Sequence, residues 1–191
     1  MKLSILICTI PERAVMFNHL KEELERQVLE LGLDGQVKIL SDDTPRGEKL
    51  VGDKRNDLKA IATGEYICYM DDDDYPSTNY LRRIFEVIHS GVDIITLDMN
   101  YFINGKFKKV YVINRWQGEV ETADKYIIDR IFYHLCPHKK SIADKVMFSP
   151  KNFQEDADYS ESLKPLLKTE KHIHEPIYNY YYDELGSATR N

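Results

Sequence analysis

The chain has 191 residues, 42% of them apolar and 30% charged, enough for one hydrophobic core and unlike a disordered or membrane-embedded protein. With 26 basic against 32 acidic residues the formal net charge is -6, which disfavours broad binding to a nucleic-acid backbone. Three widely spaced cysteines, Cys8, Cys68 and Cys136, lack any metal-like pattern and read as small buried side chains in a reducing cytoplasm.

Leu3 to Thr9 is a continuous apolar run, the pattern of a parallel strand buried on both faces. At eight residues, LSILICTI is too short for a membrane span or the core of a signal peptide. Pro11 opens a helix in which Met16, Phe17, Leu20, Leu24, Val28 and Leu31 recur at helical spacing, and Gly32 stops it. Val37 to Leu40 predicts a second strand, 49–62 a second helix closed by Gly64, and Glu65 to Met70 a third strand. After Pro76, Ser77 is placed to cap a helix carrying Leu81, Ile84, Phe85 and Ile88, with Gly91 as its stop and Ile94 to Leu97 as a fourth strand. Strand and helix in strict alternation predict a parallel sheet with right-handed crossovers.

The second half changes character. In YFINGKFKKVYV, Asn104-Gly105 lies between alternating apolar and polar residues, a strong hairpin signal. Residues 122–135 and 156–168 read as helices, and a tyrosine-rich segment closes the sequence. No repeat, linker or composition break divides the chain, so one domain is expected.

The polar residues fall where strands end. Thr9 follows the first strand, Asp42 and Asp43 the second, and Asp71 to Asp74 the third. In an open α/β sheet those ends share one edge, where ligands bind. Four adjacent carboxylates repel by roughly 1 to 4 kcal/mol per close pair. If they continue extended from the strand, Asp71 and Asp73 point one way and Asp72 and Asp74 the other. One or two carboxylates with water and ligand phosphates are the usual holders of magnesium or manganese. Pro76, in the sixth position from Asp71, excludes a helix-loop-helix calcium loop. Lys54, Arg55 and Asn56, near the start of the second helix, offer charge and donors to a diphosphate.

The stretch KRNDLKAIATGEYICYMDDDDYP resembles the family 2 glycosyltransferases, whose fold is GT-A: Arg-Asn, then Ala-x-Gly-Glu-Tyr-Ile, then a strand ending in Asp-x-Asp-Asp. LSILICTIPER is similar to the family's first strand and threonine turn, ILSDD to its second strand with paired aspartates, and FQEDADYSESL to its Glu-Asp motif. The chain departs from the family in having Leu58 where a glycine is frequent, and it lacks the Gln-x-x-Arg-Trp signature of processive synthases.

The resemblance implies an α/β fold, a mostly parallel GT-A sheet flanked by helices with an antiparallel hairpin in the second half. Residues 1–98 would form the nucleotide-binding half and 99–191 the acceptor and catalytic-base half. It implies an inverting, metal-dependent transfer of one sugar from a nucleotide-diphosphate donor, a UDP-sugar, to a hydroxyl acceptor such as a glycan or lipid-linked sugar. Thr9, Asp42, Asp43, Arg55, Asn56 and Asp71 would contact the nucleotide. Asp73, with Asp71 and Asp74, would hold Mn2+ or Mg2+, and Asp156, with Glu155 beside it, would be the base. Lesser candidates are His138, Lys139 and Lys140 toward the diphosphate and His172 or His174 as a further metal ligand. Trp116 and Tyr178, Tyr180, Tyr181 and Tyr182 are candidate sugar platforms or a homo-oligomer contact. The alternatives are a sugar-nucleotide nucleotidyltransferase, which would call for a glycine-rich loop absent from TIPER, and a non-catalytic nucleotide- or ion-binding module.

Overall fold

The computed structural model describes residues 1–113, 120–121, 125–128 and 134–183. β1 (Leu3–Cys8) leads through a short 3-10 turn at Pro11–Arg13 into α1 (Ala14–Glu30). β2 (Val37–Asp42), α2 (Val51–Ile61) and β3 (Tyr66–Asp71) follow. The two-residue β4 (Tyr75–Pro76) precedes α3 (Tyr80–Val87), and β5 (Ile94–Ile103) and β6 (Lys106–Ile113) form the predicted hairpin. Asn104 and Gly105 have φ of 49° and 73°, the paired positive values of a two-residue turn that matches strand twist. β7 (Val120–Glu121), β8 (Lys125–Ile128), β9 (His138–Lys139), α4 (Lys140–Ala143), α5 (Glu155–Leu163) and β10 (Glu170–Tyr182) complete the described elements.

Among the described residues the strands form one sheet in the order β2-β1-β3-β9-β5-β6-β8-β7, with β10 paired to β5 and β4. β1 pairs in parallel with β2 and β3, and β10 with β5, whereas β9, β6 and β7 enter antiparallel. The first half is therefore the expected parallel unit. β9 lies between β3 and β5, its His138 paired with both Ile67 and Ile94.

Three local expectations are corrected. The helix expected over 122–135 is contradicted where the chain is described: Lys125–Ile128 is a strand paired with Val110–Ile113, and His134 and Leu135 lie in a turn. An open sheet edge supplies main-chain partners that outweigh the local helical pattern. Ser77 does not cap α3; its hydroxyl donates to Asn79 (2.6 Å) and its carbonyl accepts the Tyr80 N–H (3.1 Å). Gly64 does not end α2 through a left-handed turn, since Ala62 is already extended at the helix end. It is required because a Cβ there would lie 2.5 Å from the Ser4 nitrogen and 2.6 Å from the Tyr66 carbonyl oxygen.

The largest fully buried side chains are five tyrosines, each with a partner for its hydroxyl. Tyr66 donates to the Val92 carbonyl, Tyr69 to that of Arg55, and Tyr178 to Asp74, while Tyr80 meets Cys68 and Tyr159 meets His138. Each buries a large apolar ring without leaving a polar atom unpaired, and together they fix how β3, α3, α5 and β10 face one another.

Candidate active site

Register brings the polar strand ends together. Cys8 is level with Asp42 of β2 and Asp71 of β3, and the Thr9 N–H donates to the Asp42 carbonyl (2.9 Å). Thr9, Asp42 and the aspartate run therefore stand on one edge of the sheet, as the order of the motifs predicted.

The four aspartates are not equivalent, and they do not run on extended. β3 stops at Asp71, and a tight turn closes with the Asp74 N–H donating to the Asp71 carbonyl (3.2 Å). Asp72 is buried, accepting the Thr9 hydroxyl and the Arg13 guanidinium (both 2.7 Å). Asp74 is buried too, accepting the Tyr178 hydroxyl (2.8 Å) and the Tyr181 N–H (2.9 Å). Burial, then repulsion from Asp71 and Asp73, pushes the Asp74 carboxyl well above its usual range. Asp71 and Asp73 remain toward the open side: Asp73 keeps 36% of its side chain exposed beside Arg13 (3.0 Å), and Asp71 keeps 33%. Burial and the Asp71 charge push the Asp73 carboxyl up to about 6.

Asp71 has two cationic neighbours. The buried Arg55 guanidinium lies against the Tyr69 and Phe148 rings, 3.0 Å from Asp71 by Nη2 and 3.2 Å from Glu155 by Nε. On the other side His134, 5% exposed, places Nε2 3.3 Å from Asp71. Burial alone would raise the Asp71 carboxyl; His134 and Arg55 outweigh it and hold the group below the carboxylate range.

Glu155 and Asp156 open α5, where carboxylates suit the helix dipole, just after Gln154 in a left-handed conformation (φ 63°). Gly52 sets the approach of the preceding loop: its N–H donates to the Lys151 carbonyl (3.0 Å), and a Cβ on it would fall 1.9 Å from the Ser149 oxygen. Glu155 turns inward to Arg55, and burial leaves its carboxyl raised. Asp156 accepts the Ala157 N–H (2.9 Å) through one oxygen, and its other oxygen lies 3.5 Å from His134 Nδ1. Burial raises the Asp156 carboxyl, but His134 prevails and holds it at about 2. The His134 ring is itself lowered by burial and by Arg55, yet the two carboxylates leave it net raised.

Asp71, His134 and Asp156 line a cavity of about 230 Å³. Met99, Tyr101, Tyr111 and Tyr180 line it as well. Tyr101 stacks on Tyr180 (centroids 5.6 Å, 23°) and meets Tyr111 edge-on (5.0 Å, 74°), so aromatic rings share the cavity with the carboxylates. Among the described residues no three His, Cys, Asp or Glu side chains converge as a metal cage.

The other expected residues occupy distinct positions. Asp42 accepts from Thr44 and Lys49 (2.6 Å), and Asp43 is exposed. Lys54 is buried on the Thr9 and Thr44 carbonyls, and Asn56 is clipped to the Phe148 backbone by two bonds (3.0 and 2.9 Å). His138 is in the core, while Lys139 pairs with Asp93 (3.1 Å) and Lys140 with Asp144 (2.8 Å). His172 lies 2.9 Å from Asp98 and touches His174; strand alternation puts Asp98 on the face opposite Met99. Of the tyrosine run, Tyr180 reaches the cavity, Tyr178 is core and Tyr181 stacks on Phe102 (4.7 Å). Trp116 lies outside the described residues. His134, Arg13, Tyr101 and Tyr111 were not among the expected site residues: IFYHLC carries no motif, and the hairpin around Asn104-Gly105 and the turn at Pro11 predicted local structure only.

Comparison with known proteins bears on the family and the fold. The family model described as Glycosyl transferase family 2 matches residues 22–148. The chain is 29% identical over 136 residues to the poly(ribitol-phosphate) beta-glucosyltransferase of Bacillus spizizenii, covering 69% of this chain and 21% of that protein. It thus spans about a fifth of that relative's length. Residues 1–349 of S. aureus TarS in complex with UDP have a similar fold, with TM-score 0.68 and 17% identity over 95% of this chain and 61% of that one. The UDP-GlcNAc complex of the same TarS segment gives TM-score 0.68 and 16% identity over 96% and 59%. These likenesses establish the fold as GT-A.

Proposed function

The chain belongs to glycosyl transferase family 2, and on that premise we propose that it moves one sugar from a UDP-linked donor to an acceptor hydroxyl with inversion at the anomeric carbon. The observation that carries this reading is the convergence of Asp71, at the end of β3, and Asp156, at the start of α5, on one cavity. TarS has been solved with UDP and with UDP-GlcNAc, which supports a uridine donor, and the Bacillus relative is named for transfer to poly(ribitol phosphate), which supports a polyol or glycan hydroxyl as acceptor. Residues 1–98 serve the donor, and 99–191 supply the base and the acceptor wall.

Asp156, ionised at neutral pH, takes the proton of the acceptor hydroxyl. The acceptor oxygen attacks the anomeric carbon from the far face as the bond to the diphosphate oxygen breaks, and UDP leaves with that electron pair. Tyr101 and Tyr180 offer ring faces to the apolar side of a sugar or polyol. Thr9 and Arg55 act from behind: Thr9 fixes Asp72, and Arg55 holds Asp71 and Glu155 together.

A divalent cation fits this donor set. Asp73 and Asp71 are neighbouring carboxylates toward the open side, and burial, then the charge of Asp71, raises the Asp73 carboxyl, a repulsion that a cation relieves. A hard ion on a diphosphate needs only one or two protein carboxylates. Asp73, with Asp71 beside it, would hold magnesium or manganese, which would neutralise charge on the departing diphosphate. Asp74, committed to Tyr178 and Tyr181, is left out of that set.

The test is thermal stabilisation and slow donor hydrolysis with manganese and a panel of nucleotide sugars. A UDP-sugar should give both; no shift with any donor, with or without metal, overturns the reading. Asp73→Ala should abolish metal dependence, and Asp156→Ala should keep donor binding and lose transfer.

A further inference from the structure

His134 belongs to no motif in the sequence, yet it sits between the two carboxylates on which the proposed reaction depends. Its main chain is set by β3, because its carbonyl accepts the Tyr69 N–H (3.0 Å) two residues before Asp71. Its ring is buried edge-on to Tyr69 (centroids 6.3 Å), with Nε2 toward Asp71 at 3.3 Å and Nδ1 toward Asp156 at 3.5 Å. Neither nitrogen makes a well-formed hydrogen bond among the described residues. Burying two such atoms without good partners is unfavourable, a cost that packing alone does not require, since an apolar residue of similar size would avoid it.

Asp156 shows what the ring contributes. One of its oxygens is held by the Ala157 N–H, within its own helix, and among the described residues His134, from a different element, is the side chain beside the other oxygen. Without it the carboxylate keeps rotamer freedom just where an acceptor hydroxyl must meet it. We infer that His134 is a positioning residue, whose ring joins the end of β3 to the start of α5 and so holds Asp156 at a fixed spacing from Asp71. The two contacts are longer than good hydrogen bonds, as is usual for a catalytic network before its ligand binds. A displacement of about 1 Å in such a network costs on the order of 100-fold in rate.

The inference rests on Asp156 being the base, and a double-mutant cycle separates the two. His134→Leu fills the space without the nitrogens, and His134→Gln restores a polar group and carries the test if the leucine variant does not fold. With UDP-sugar donor, manganese and a working acceptor, His134→Leu should lower kcat by about 10- to 100-fold and change the dissociation constant for UDP less than about threefold, within the spread of indirect effects. His134→Gln should recover part of the loss. In the Asp156→Asn background, His134→Leu should add nothing, because a residue acting through Asp156 has nothing left to position. Full activity of a folded His134→Leu protein, a fall in UDP affinity as large as the fall in kcat, or an additive double mutant each overturns the inference and leaves the function standing. Full activity of Asp156→Asn overturns the base assignment and this inference with it.

Discussion

At the scale of single residues, the aspartate run shows how one residue type in four consecutive positions can do unlike work. Asp72 and Asp74 are structural anchors, the first for the Thr9–Arg13 turn and the second for β10, while Asp71 and Asp73 stay half-buried toward the open side. Alternation along a strand picked out that open-side pair from the sequence, although a turn rather than an extended chain produces it. Tyr180 and Tyr101 are the residues through which acceptor binding is best probed. Tyr180→Ala should raise the acceptor KM by about tenfold, the equivalent of about 1.4 kcal/mol of lost ring contact, with the affinity for UDP unchanged by calorimetric titration. An equal loss in both constants would place Tyr180 on the donor side.

At the scale of elements, the site depends on loops fixed from a distance. Gly52, on α2, sets the approach of the 149–152 segment that leads into α5. Gly52→Ala should destabilise the protein by about 1 to 3 kcal/mol through overpacking, read as a lower midpoint in urea, and should lower transfer because α5 carries Glu155 and Asp156. β9 gives a prediction in pH. His138 donates from Nδ1 to the Cys136 carbonyl (2.8 Å), since a carbonyl can only accept, and so receives the Tyr159 hydroxyl at Nε2 (2.9 Å) as a neutral ring. Burial pushes its pKa down to about 4, against about 6.5 in the unfolded chain. Unfolding therefore takes up a proton between those values, and this residue makes stability fall as pH drops from about 6.5 to 4. His138→Gln, which has no proton to take up, should flatten that part of the stability curve measured by denaturant titration at pH 7, 5.5 and 4.5. An unchanged slope would show that His138 is already charged in the fold.

At the scale of the whole molecule, the strand-end edge is assembled from three parallel strands, and the cavity from β3, β5, β6, the turn at His134, α5 and β10. Filling it should stabilise the entire fold. UDP with manganese at about 100 times its dissociation constant should add about 2.7 kcal/mol, which raises Tm by roughly 5 to 10 °C for a chain of this size. EDTA should remove most of that shift if Asp73 and Asp71 hold the ion, and a shift that survives EDTA would argue for metal-independent binding. No helix among the described residues is long and apolar enough to cross a membrane.

The parallel unit from β1 to β3, the hairpin at Asn104-Gly105, the strand-end edge and the place of Asp156 at a helix start were all legible in the sequence. Each rests on local information: apolar runs, helical spacing, turn chemistry and the order of motifs along the chain. The tertiary structure alone decided that 125–128 is a strand, that Asp74, Lys54 and His138 are struts, and that Arg13, His134, Tyr101 and Tyr111 stand at or beside the site. The reason is physical. Whether a polar side chain is a strut or a ligand depends on which partners distant segments bring within about 3 Å of it, and no local pattern encodes what lies 60 or 100 residues away.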